Sequence, residues 1–187
     1  MQELLRSHIE KIVPLTDKEF ELVISHFTVA DFKRNHFIFE QGEKVKHAYY
    51  IISGLLKLTY VDDSAKEHIV SFAMEDWWES DFYAYFTQTK AAMSLKCLEE
   101  TTVFCLSLND YQNLCRDMPK MESFFLQKAH LGFIGSQQRI LSLLTTNARE
   151  RYEQLLQQYP ALLQRVSKTQ LAAYLGVSRE TLSRLHD

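Results

Sequence analysis

The segment from Ser167 to Leu185 carries the polar residues whose types and spacing best suit a chemical task. Its second half would place five of them at the start and on the outer side of a short helix: Ser178, Arg179, Glu180, Ser183 and Arg184. An arginine can donate two hydrogen bonds to guanine O6 and N7, and a glutamate can accept one from the amino group of cytosine. These side chains are therefore candidates for contact with base edges in the major groove of DNA.

Three polar residues stand at the beginning of the same segment: Ser167, Lys168 and Thr169. The first turn of a helix offers free backbone N–H groups, to which these residues add hydroxyls and an ammonium group. Groups of this kind hold phosphates and fix the position of a protein along DNA without reading its sequence. We therefore predict that these three residues contact the DNA backbone.

The apolar and turn residues of the segment predict the helix-turn-helix that such contacts require. Gly176 can end the first helix in the left-handed conformation, and Ser178 can cap the second. Ser167 and Gln170 have the spacing of a capping box. The residues that would pack between the two helices are apolar: Leu171, Ala172, Leu175, Val177, Leu182 and Leu185. Ordinary helical hairpins share part of this pattern, but so many constrained positions in one register favour a helix-turn-helix.

Length and charge fit a larger acidic part followed by a small basic one. The chain has 187 residues, 46% of them hydrophobic, which is enough for a domain of about 130 residues and a small second one. Residues 137–187 hold seven Lys/Arg and four Asp/Glu, a net charge of +3, whereas residues 1–136 hold 14 and 20, a net charge of −6. The basic charge therefore lies in the part that carries the motif, as DNA binding requires.

The cysteines and histidines do not predict a metal or cofactor site. Cys97, Cys105 and Cys115 lack metal-ligand spacing, and an iron–sulfur cluster normally takes four thiolates. Haem would need an axial ligand, and His47 and His68 are available, but lone histidines on strands are more often surface residues than ligands. We expect free thiols, a cytoplasmic protein and no cofactor. No apolar stretch approaches the ~20 residues of a membrane span, so we expect no membrane partner.

The elements that must position the motif are of two kinds. Short β-rich runs bounded by turn residues occupy residues 37–39, 49–52, 56–60, 68–72, 94–98 and 102–107. Their spacing predicts a compact antiparallel barrel or sandwich. Helices are predicted before it, over residues 2–13 and 17–27, and after it, over residues 119–145 and in two stretches of residues 147–164. The expected fold class is α+β.

The helix predicted from Pro119 to about Thr145 repeats apolar residues at intervals of seven: Leu126, Phe133 and Ile140. A repeat of this length is typical of a coiled-coil seam and predicts a homodimer. The alternative is that the stripe packs on the barrel of the same chain. A second apolar face, made of Phe124, Phe125 and Leu131, would let the helix do both.

The order of these parts resembles the Crp/Fnr family of bacterial transcription regulators. Residues 176–184 carry the most specific resemblance, followed by Gly42, Glu43 and Gly54 in the barrel turns. The resemblance covers nearly the whole chain. It implies a cyclic-nucleotide-binding-like β-roll or jelly roll with N-terminal helices over residues 1–118, a long dimerisation helix over 119–146 and a helix-turn-helix domain over 147–187. It also implies that the bases are read by Arg179, Glu180 and Arg184.

The stretch that would hold a cyclic phosphate departs from the family's pattern. Members that bind cyclic nucleotides have a Gly-Glu-Leu step and, about ten residues later, an Arg-Ser/Thr-Ala step whose cation and N–H groups clamp the phosphate. Residues 77–82 lack that glycine, and Ala91 and Ala92 stand where arginine and serine would be. Three acidic residues would repel a phosphate: Asp76, Glu79 and Asp81. Because only Lys90 could replace the arginine, we expect a degenerate site that binds neither cyclic AMP nor cyclic GMP.

An aromatic patch next to Lys90 is the candidate pocket for a different effector: Trp77, Trp78, Phe82 and Tyr83. Such a patch could cradle an apolar or planar ligand, or it could simply be core. The sequence leaves open which effector binds, and whether one exists. Larger family members also carry a β-hairpin wing after the motif, and the chain stops at Asp187, so we expect a short wingless member or a shortened chain.

The leading interpretation is a sequence-specific, homodimeric DNA-binding transcription regulator whose partners are double-stranded DNA and, as a further candidate, RNA polymerase. The alternative is a small-molecule or protein-binding sensor that keeps the helix-turn-helix as a relic. An enzyme is not expected, because no pair of carboxylates and no nucleophile with its base has family-level spacing. The operator, the regulated genes and the choice between activation and repression stay open.

Overall fold

The computed structural model describes residues 1–185 as two antiparallel sheets flanked by helices. The strands are β1 (Phe27–Phe32), β2 (Phe37–Phe39), β3 (His47–Ser53), β4 (Leu56–Val61), β5 (Glu67–Ala73), β6 (Trp78–Glu79), β7 (Ser94–Cys97) and β8 (Thr101–Ser107). The helices are α1 (Gln2–Glu10), α2 (Asp17–Ser25), α3 (Phe82–Thr87), α4 (Leu108–Asp117), α5 (Pro119–Thr145), α6 (Ala148–Gln158), α7 (Pro160–Arg165), α8 (Lys168–Leu175) and α9 (Arg179–Leu185). The predicted α+β class is confirmed.

The two sheets face each other and form a β-roll. The first sheet has the strand order β1-β8-β3-β6, and the second has the order β2-β7-β4-β5. Strand β8 shows the consequence for side chains: Val103 and Cys105 point between the sheets, while Phe104 and Leu106 point outwards and are buried there. Because successive side chains of a strand alternate between its faces, the part of β8 that is buried on both faces, residues 103–106, is apolar throughout.

Three apolar clusters result from this two-sided burial. The first fills the β-roll and includes Ile51, Leu56 and Leu95. The second lies between the outer face of the first sheet and the helices α1, α2, α4 and the start of α5. The third lies between the outer side of the second sheet and the C-terminal helices: Leu55, Ile69, Phe72 and Leu98 on the β-roll, and Tyr152, Leu155, Leu162, Leu171, Ala172, Leu175 and Leu182 on the helices.

The structure also differs from the sequence prediction in several elements. Strands β1 and β6 and the helices α3 and α4 were not predicted, and Phe27 belongs to β1 and not to the preceding helix. Helix α1 ends at Glu10, although a helix was expected as far as Val13. Val29 is half exposed on β1, so this strand lacks the alternation of buried apolar and exposed polar side chains that reveals a strand. Helix α4 does carry apolar residues at helical spacing, Leu108, Tyr111 and Leu114, and the sequence prediction missed them.

One carboxyl group lies inside the β-roll. Glu79 on β6 is only 8% exposed; the Ser71 hydroxyl and the Ser80 backbone N–H donate hydrogen bonds to it. Burial raises the pKa of Glu79 from 4.5 to about 7, and the two hydrogen bonds oppose part of that shift. The group is therefore ionised in the unfolded chain but largely protonated in the folded one between these two pH values.

We expect Glu79→Gln to stabilise the protein increasingly as the pH rises from about 4.5 to about 7. A folded-state pKa above the unfolded one means that the wild type loses stability over this window, whereas glutamine cannot ionise. The gain should approach roughly 3 kcal/mol above pH 7, relative to pH 4. Urea unfolding of both proteins across this range measures it, and a difference that does not change with pH would contradict the assignment.

Candidate nucleic-acid interface

Helix α8 begins with the predicted capping box. The Ser167 hydroxyl accepts a hydrogen bond from the Gln170 backbone N–H at 3.2 Å, and the Gln170 side chain accepts one from the Ser167 N–H at 3.1 Å. Ser167, Lys168 and Thr169 are all exposed. The first turn of α8 thus presents to solvent the hydroxyls and the cation that were predicted to contact phosphate.

The turn between α8 and α9 has the predicted left-handed glycine. Gly176 has a φ of 71°. Its N–H donates to the Ala173 carbonyl at 3.3 Å, and the Val177 N–H donates to the Ala172 carbonyl at 3.0 Å. This pair of bonds is the Schellman arrangement, which satisfies carbonyls left free at a helix end and favours glycine. It fixes where α8 stops, and so where α9 can begin.

Helix α9 is capped by Ser178, whose hydroxyl accepts the Thr181 N–H at 3.1 Å. Its inner side holds Leu182, which is fully buried against α8 and the helices before it. The predicted base-reading side is exposed: Ser178, Arg179, Glu180, Ser183 and Arg184. The side chain of Leu185, predicted to point inwards, lies outside the described part of the chain.

Glu180 lies in the first turn of α9. Its own backbone N–H lowers the pKa of its carboxyl, and a hydrogen bond with Ser178 lowers it further, together with the charges of Arg179 and Arg184. Glu180 is therefore an anion at neutral pH and can accept a hydrogen bond. The exposed face of α9 thus combines one acceptor with two guanidinium donors.

Two other arginines serve the fold of the motif. Arg151 donates from Nε to the Leu175 carbonyl at 3.0 Å, and Arg139 donates from Nη2 to the Tyr174 carbonyl at 3.0 Å. Cations at the C-terminus of a helix satisfy free carbonyls and oppose its dipole. Sequence reasoning missed this role, because nothing local to either arginine indicates that α8 ends beside it.

The predicted dimer seam is exposed in the single chain. Leu126, Phe133 and Ile140 are 55%, 63% and 57% exposed. The first part of α5 packs on the β-roll through Met121 and Phe124, but other apolar residues beyond it are also exposed: Leu131, Ile134, Leu141, Leu143 and Leu144. Leu126, Phe133 and Ile140 recur on one side of α5, and an exposed apolar stripe of this kind is typical of a protein-binding surface, whereas Leu131 lies on the opposite side of the helix.

Two residues of the predicted effector pocket lie apart, on different sides of the β-roll. The Trp77 ring packs edge-on against Tyr159, beside the C-terminal helices, at a centroid distance of 5.2 Å. Trp78 packs among Phe27, Tyr50 and Phe125, and its indole N–H donates to Nε2 of His8 at 3.1 Å.

The environment of His8 fixes its charge and tautomer. Burial and the nearby Lys128 charge lower its pKa to about 4, despite the Asp76 carboxylate at 2.6 Å. The ring is therefore neutral near pH 7. Because Nε2 accepts the indole proton of Trp78, Nδ1 carries the hydrogen that is donated to Asp76. Trp78 is thus one end of a structural hydrogen-bond chain.

The other three residues of the predicted pocket are on the surface. Phe82 and Tyr83 are 41% and 71% exposed on α3. Lys90 is also exposed, and its backbone forms a bridge with that of Lys44. None of the five predicted residues lines either of the two best-defined cavities in the described residues, which have volumes of about 200 and 230 Å³. The structure therefore does not bring the set together, since alternation along the chain sends neighbouring aromatic rings to different faces.

Asp81 orders the loop around Ala91 and Ala92, where cyclic-nucleotide-binding family members carry the residues that clamp the phosphate. Its side chain is fully buried and caps α3 by accepting the Ala84 N–H at 3.1 Å. The other carboxylate oxygen accepts the backbone N–H groups of Ala92 and Met93 at 2.8 and 3.2 Å. The Asp81 carboxylate therefore already accepts hydrogen bonds from the backbone N–H groups of this loop. The sequence prediction interpreted Asp81 only as repelling a phosphate; an aspartate three residues before Ala84 is the signal in the sequence that could have indicated a helix cap.

Residues 1–185 contain no cluster of His, Cys, Asp or Glu arranged to hold a metal ion. The cysteines are free thiols; Cys97 and Cys105 are buried, and burial raises the pKa of Cys105 to about 11. Among the described helices, none combines the length and apolar character needed to cross a membrane.

Comparison with known proteins agrees with this architecture. Residues 29–118 match the cyclic nucleotide-binding domain. The chain is 24% identical over 164 residues to the transcriptional activator protein Anr of Pseudomonas protegens and 25% identical over 166 residues to the anaerobic regulatory protein of Haemophilus influenzae. Each match covers 82% of this chain, which spans 66% and 63% of the two relatives.

A solved structure shows the same fold. The c-di-GMP-responsive global regulator CLP of Xanthomonas campestris superposes with a TM-score of 0.72 at 16% identity, over 91% of this chain and 89% of that one. The β-roll, the long helix and the C-terminal helices are thus matched together and in the same order. The chain thus carries a cyclic nucleotide-binding domain over residues 29–118, and in sequence and fold it is similar to transcription regulators of the Crp/Fnr family.

Proposed function

We propose that the chain is a sequence-specific DNA-binding transcription regulator that acts on double-stranded DNA in the cytoplasm. The observation that carries the proposal is the α8–α9 pair, which exposes all eight predicted contact residues while Leu171, Leu175 and Leu182 anchor it below. Arg179, Glu180 and Arg184 would read base edges, and Ser167, Lys168 and Thr169 would hold phosphates. Ser178 and Ser183 would complete the contacts.

The dimer is the second part of the proposal. Two copies joined along the exposed seam of α5 would present two recognition helices to two equal half-sites, about one turn of DNA or ~34 Å apart. Burial of Phe133 and its neighbours would supply the apolar area that such an interface needs. RNA polymerase is a further candidate partner of the assembled dimer.

We also propose that the cyclic-nucleotide site is degenerate and takes no cofactor. Support comes from Asp81, because its carboxylate already accepts the N–H groups of Ala92 and Met93 that a bound phosphate would need. A phosphate placed there would meet a buried negative charge without a bidentate cation. Lys90, the one candidate replacement, lies exposed beside Lys44.

DNA reading is tested by selecting the preferred site from random DNA and then comparing Arg179→Ala with Lys168→Ala. Arg179→Ala should cost about 1–3 kcal/mol on the selected site and relax the preference at one base pair of each half-site. Lys168→Ala should weaken binding to all sequences alike and reduce the salt slope by roughly one unit.

Neither substitution should lower the melting temperature much, because both side chains are exposed. The proposal fails if selection enriches no sequence, which favours the alternative of a sensor with a relic helix-turn-helix. It also fails if Arg179→Ala lowers specific and non-specific binding by the same factor.

We expect Phe133→Glu to give monomers in analytical ultracentrifugation, because two buried carboxylates would face each other across the seam. Phe133 is 63% exposed in the single chain, so the substitution should leave the fold intact. Leu131→Glu is the matched control: Leu131 is 54% exposed but lies about 200° away around the helix, and it should remain dimeric. A folded Phe133→Glu dimer would place the interface elsewhere.

Cyclic AMP at millimolar concentration should change neither the melting temperature nor the DNA affinity. A ligand that binds only the folded state adds about 2.7 kcal/mol at 100 times its Kd, which corresponds to several degrees for a chain of this size. Thermal melts with and without the nucleotide measure this, with a cyclic-AMP-binding regulator as positive control. A shift of several degrees would show that the loop around Asp81 opens to admit a phosphate.

A further inference from the structure

Arg165, at the end of α7, reaches from the C-terminal helices to two carboxylates of the β-roll. Its Nη1 and Nη2 donate to Glu75 at 2.7 and 2.9 Å, while its Nε and Nη2 donate to Glu99 at 3.0 and 2.6 Å. The Arg165 side chain is 22% exposed. A planar guanidinium that makes two parallel hydrogen bonds to each of two carboxylates has very little freedom of orientation.

The β-roll orients the Glu75 carboxylate and the turn that carries Glu99. The Gly54 N–H donates to Glu75 Oε1 at 2.9 Å, and the Thr101 hydroxyl donates to the Glu99 carbonyl at 3.0 Å. Gly54 has a φ of 107°, and a Cβ there would lie 2.4 Å from the Thr101 hydroxyl oxygen. The two turns are therefore packed backbone against side chain, with no room for a larger residue.

The pKa shifts of Glu75 and Arg165 agree with ion pairing between them. Burial alone would raise the pKa of Glu75, but its bonds to Arg165 and to Gly54 outweigh burial and lower it. The bonds to Glu99 and Glu75 raise the pKa of the Arg165 guanidinium. Glu75 and Arg165 are therefore held in their charged forms across neutral pH.

Arg139 makes a second connection of the same kind. From α5 it donates to the Ile69 carbonyl on β5 at 3.1 Å and to the Tyr174 carbonyl on α8 at 3.0 Å, and it stacks 3.7 Å from the Tyr174 ring centroid. Phe72 packs against the other side of this junction, 5.1 Å from the Tyr174 ring. The helix-turn-helix is thus attached to the β-roll at two separate points.

These attachments are needed because the chain between the long helix and the motif is not continuous helix. Thr146 and Asn147 both have extended backbone between the end of α5 and the start of α6, with φ −112° and ψ 152° at Thr146. An extended segment between two helices can act as a hinge. The Ser142 hydroxyl donates to the Gln154 side chain at 2.8 Å and braces this connection locally. The contacts with the β-roll lie farther along the chain and further restrict the angle between α5 and α9.

The attachment leaves the reading surface open. Arg165 lies on α7 and Tyr174 on the covered side of α8, whereas Lys168, Arg179 and Arg184 remain exposed. The contact with the β-roll therefore does not cover the residues proposed to bind DNA. It restrains the orientation of the motif and leaves that surface accessible.

We propose that the Arg165–Glu75–Glu99 cluster is a positioning device that determines which spacing between two half-sites the dimer selects. The inference rests on the proposed DNA-binding function. Two linked modules gain avidity only when both can engage at once, and a rigid link restricts that gain to one separation. Freeing the motif from the β-roll would spread binding over several spacings without changing how one half-site is read.

The test uses the full-length dimer and a set of DNAs in which two copies of the selected half-site are separated by inserts of increasing length. Wild type should prefer one spacing by about tenfold or more over its neighbours, and Arg165→Gln should reduce that preference to about threefold or less. Binding to a single half-site should be unchanged, a result that a general loss of structure would not give.

Two further variants make the result specific to this contact. Glu75→Gln combined with Glu99→Gln removes the charge from the β-roll side and should reproduce the flattened spacing profile. Lys168→Ala should lower affinity at every spacing by the same factor and keep the profile sharp. If Arg165→Gln proves unstable, the double glutamine variant gives the same measurement.

An unchanged profile in Arg165→Gln and in the double variant would overturn the inference. Tighter DNA binding by either variant at all spacings would also overturn the inference, because the contact would then oppose DNA binding and not select a spacing. Absence of any DNA binding by wild type is a separate outcome, visible before the variants are compared, and it would remove the proposed function itself.

Discussion

Burial of both faces of the β-roll is the constraint on which the rest of the structure depends. Side chains such as Phe104 and Leu106 point out of the first sheet, and Ile69 and Phe72 point out of the second. Leaving them in water would cost roughly 1.5–3 kcal/mol each. The N-terminal helices and the start of α5 cover one side, and the C-terminal helices cover the other. The helix-turn-helix is therefore part of a shared core with the β-roll, and not a module on a free linker.

Charge in the C-terminal part is divided between folding and recognition. Of the seven Lys/Arg after residue 136, three are engaged with carbonyls or carboxylates at helix ends and domain contacts: Arg139, Arg151 and Arg165. The other four remain exposed: Lys168, Arg179 and Arg184 on the side of the motif, and Arg149 on α6. The net positive charge seen in the sequence thus overstates the charge available to DNA, and the salt slope of binding should reflect the smaller number.

The helix-turn-helix could be predicted from sequence because its determinants are local. Gly176, Ser178 and the Ser167–Gln170 pair each act on backbone groups within a few residues, and each has the predicted hydrogen bonds. The effector pocket could not be predicted in this way. Whether Trp77 and Trp78 meet in one cavity depends on the order of strands and on which helices cover each face. Asp81 was similarly interpreted as repelling a phosphate, whereas the structure gives it three N–H partners.

Three carboxylates of the β-roll form hydrogen bonds that order parts of the fold. Asp81 satisfies the N–H groups of the loop inside the β-roll, and Glu75 and Glu99 bind the guanidinium that joins the roll to α7. All three carboxylates are supplied by the fold and are present whether or not a ligand is. Under the proposed function, the β-roll works as a fixed frame that holds α9 at one angle to α5. Regulation would then have to act on the contacts between the β-roll and the C-terminal helices, because the Asp81 carboxylate already accepts the N–H groups that a phosphate would need.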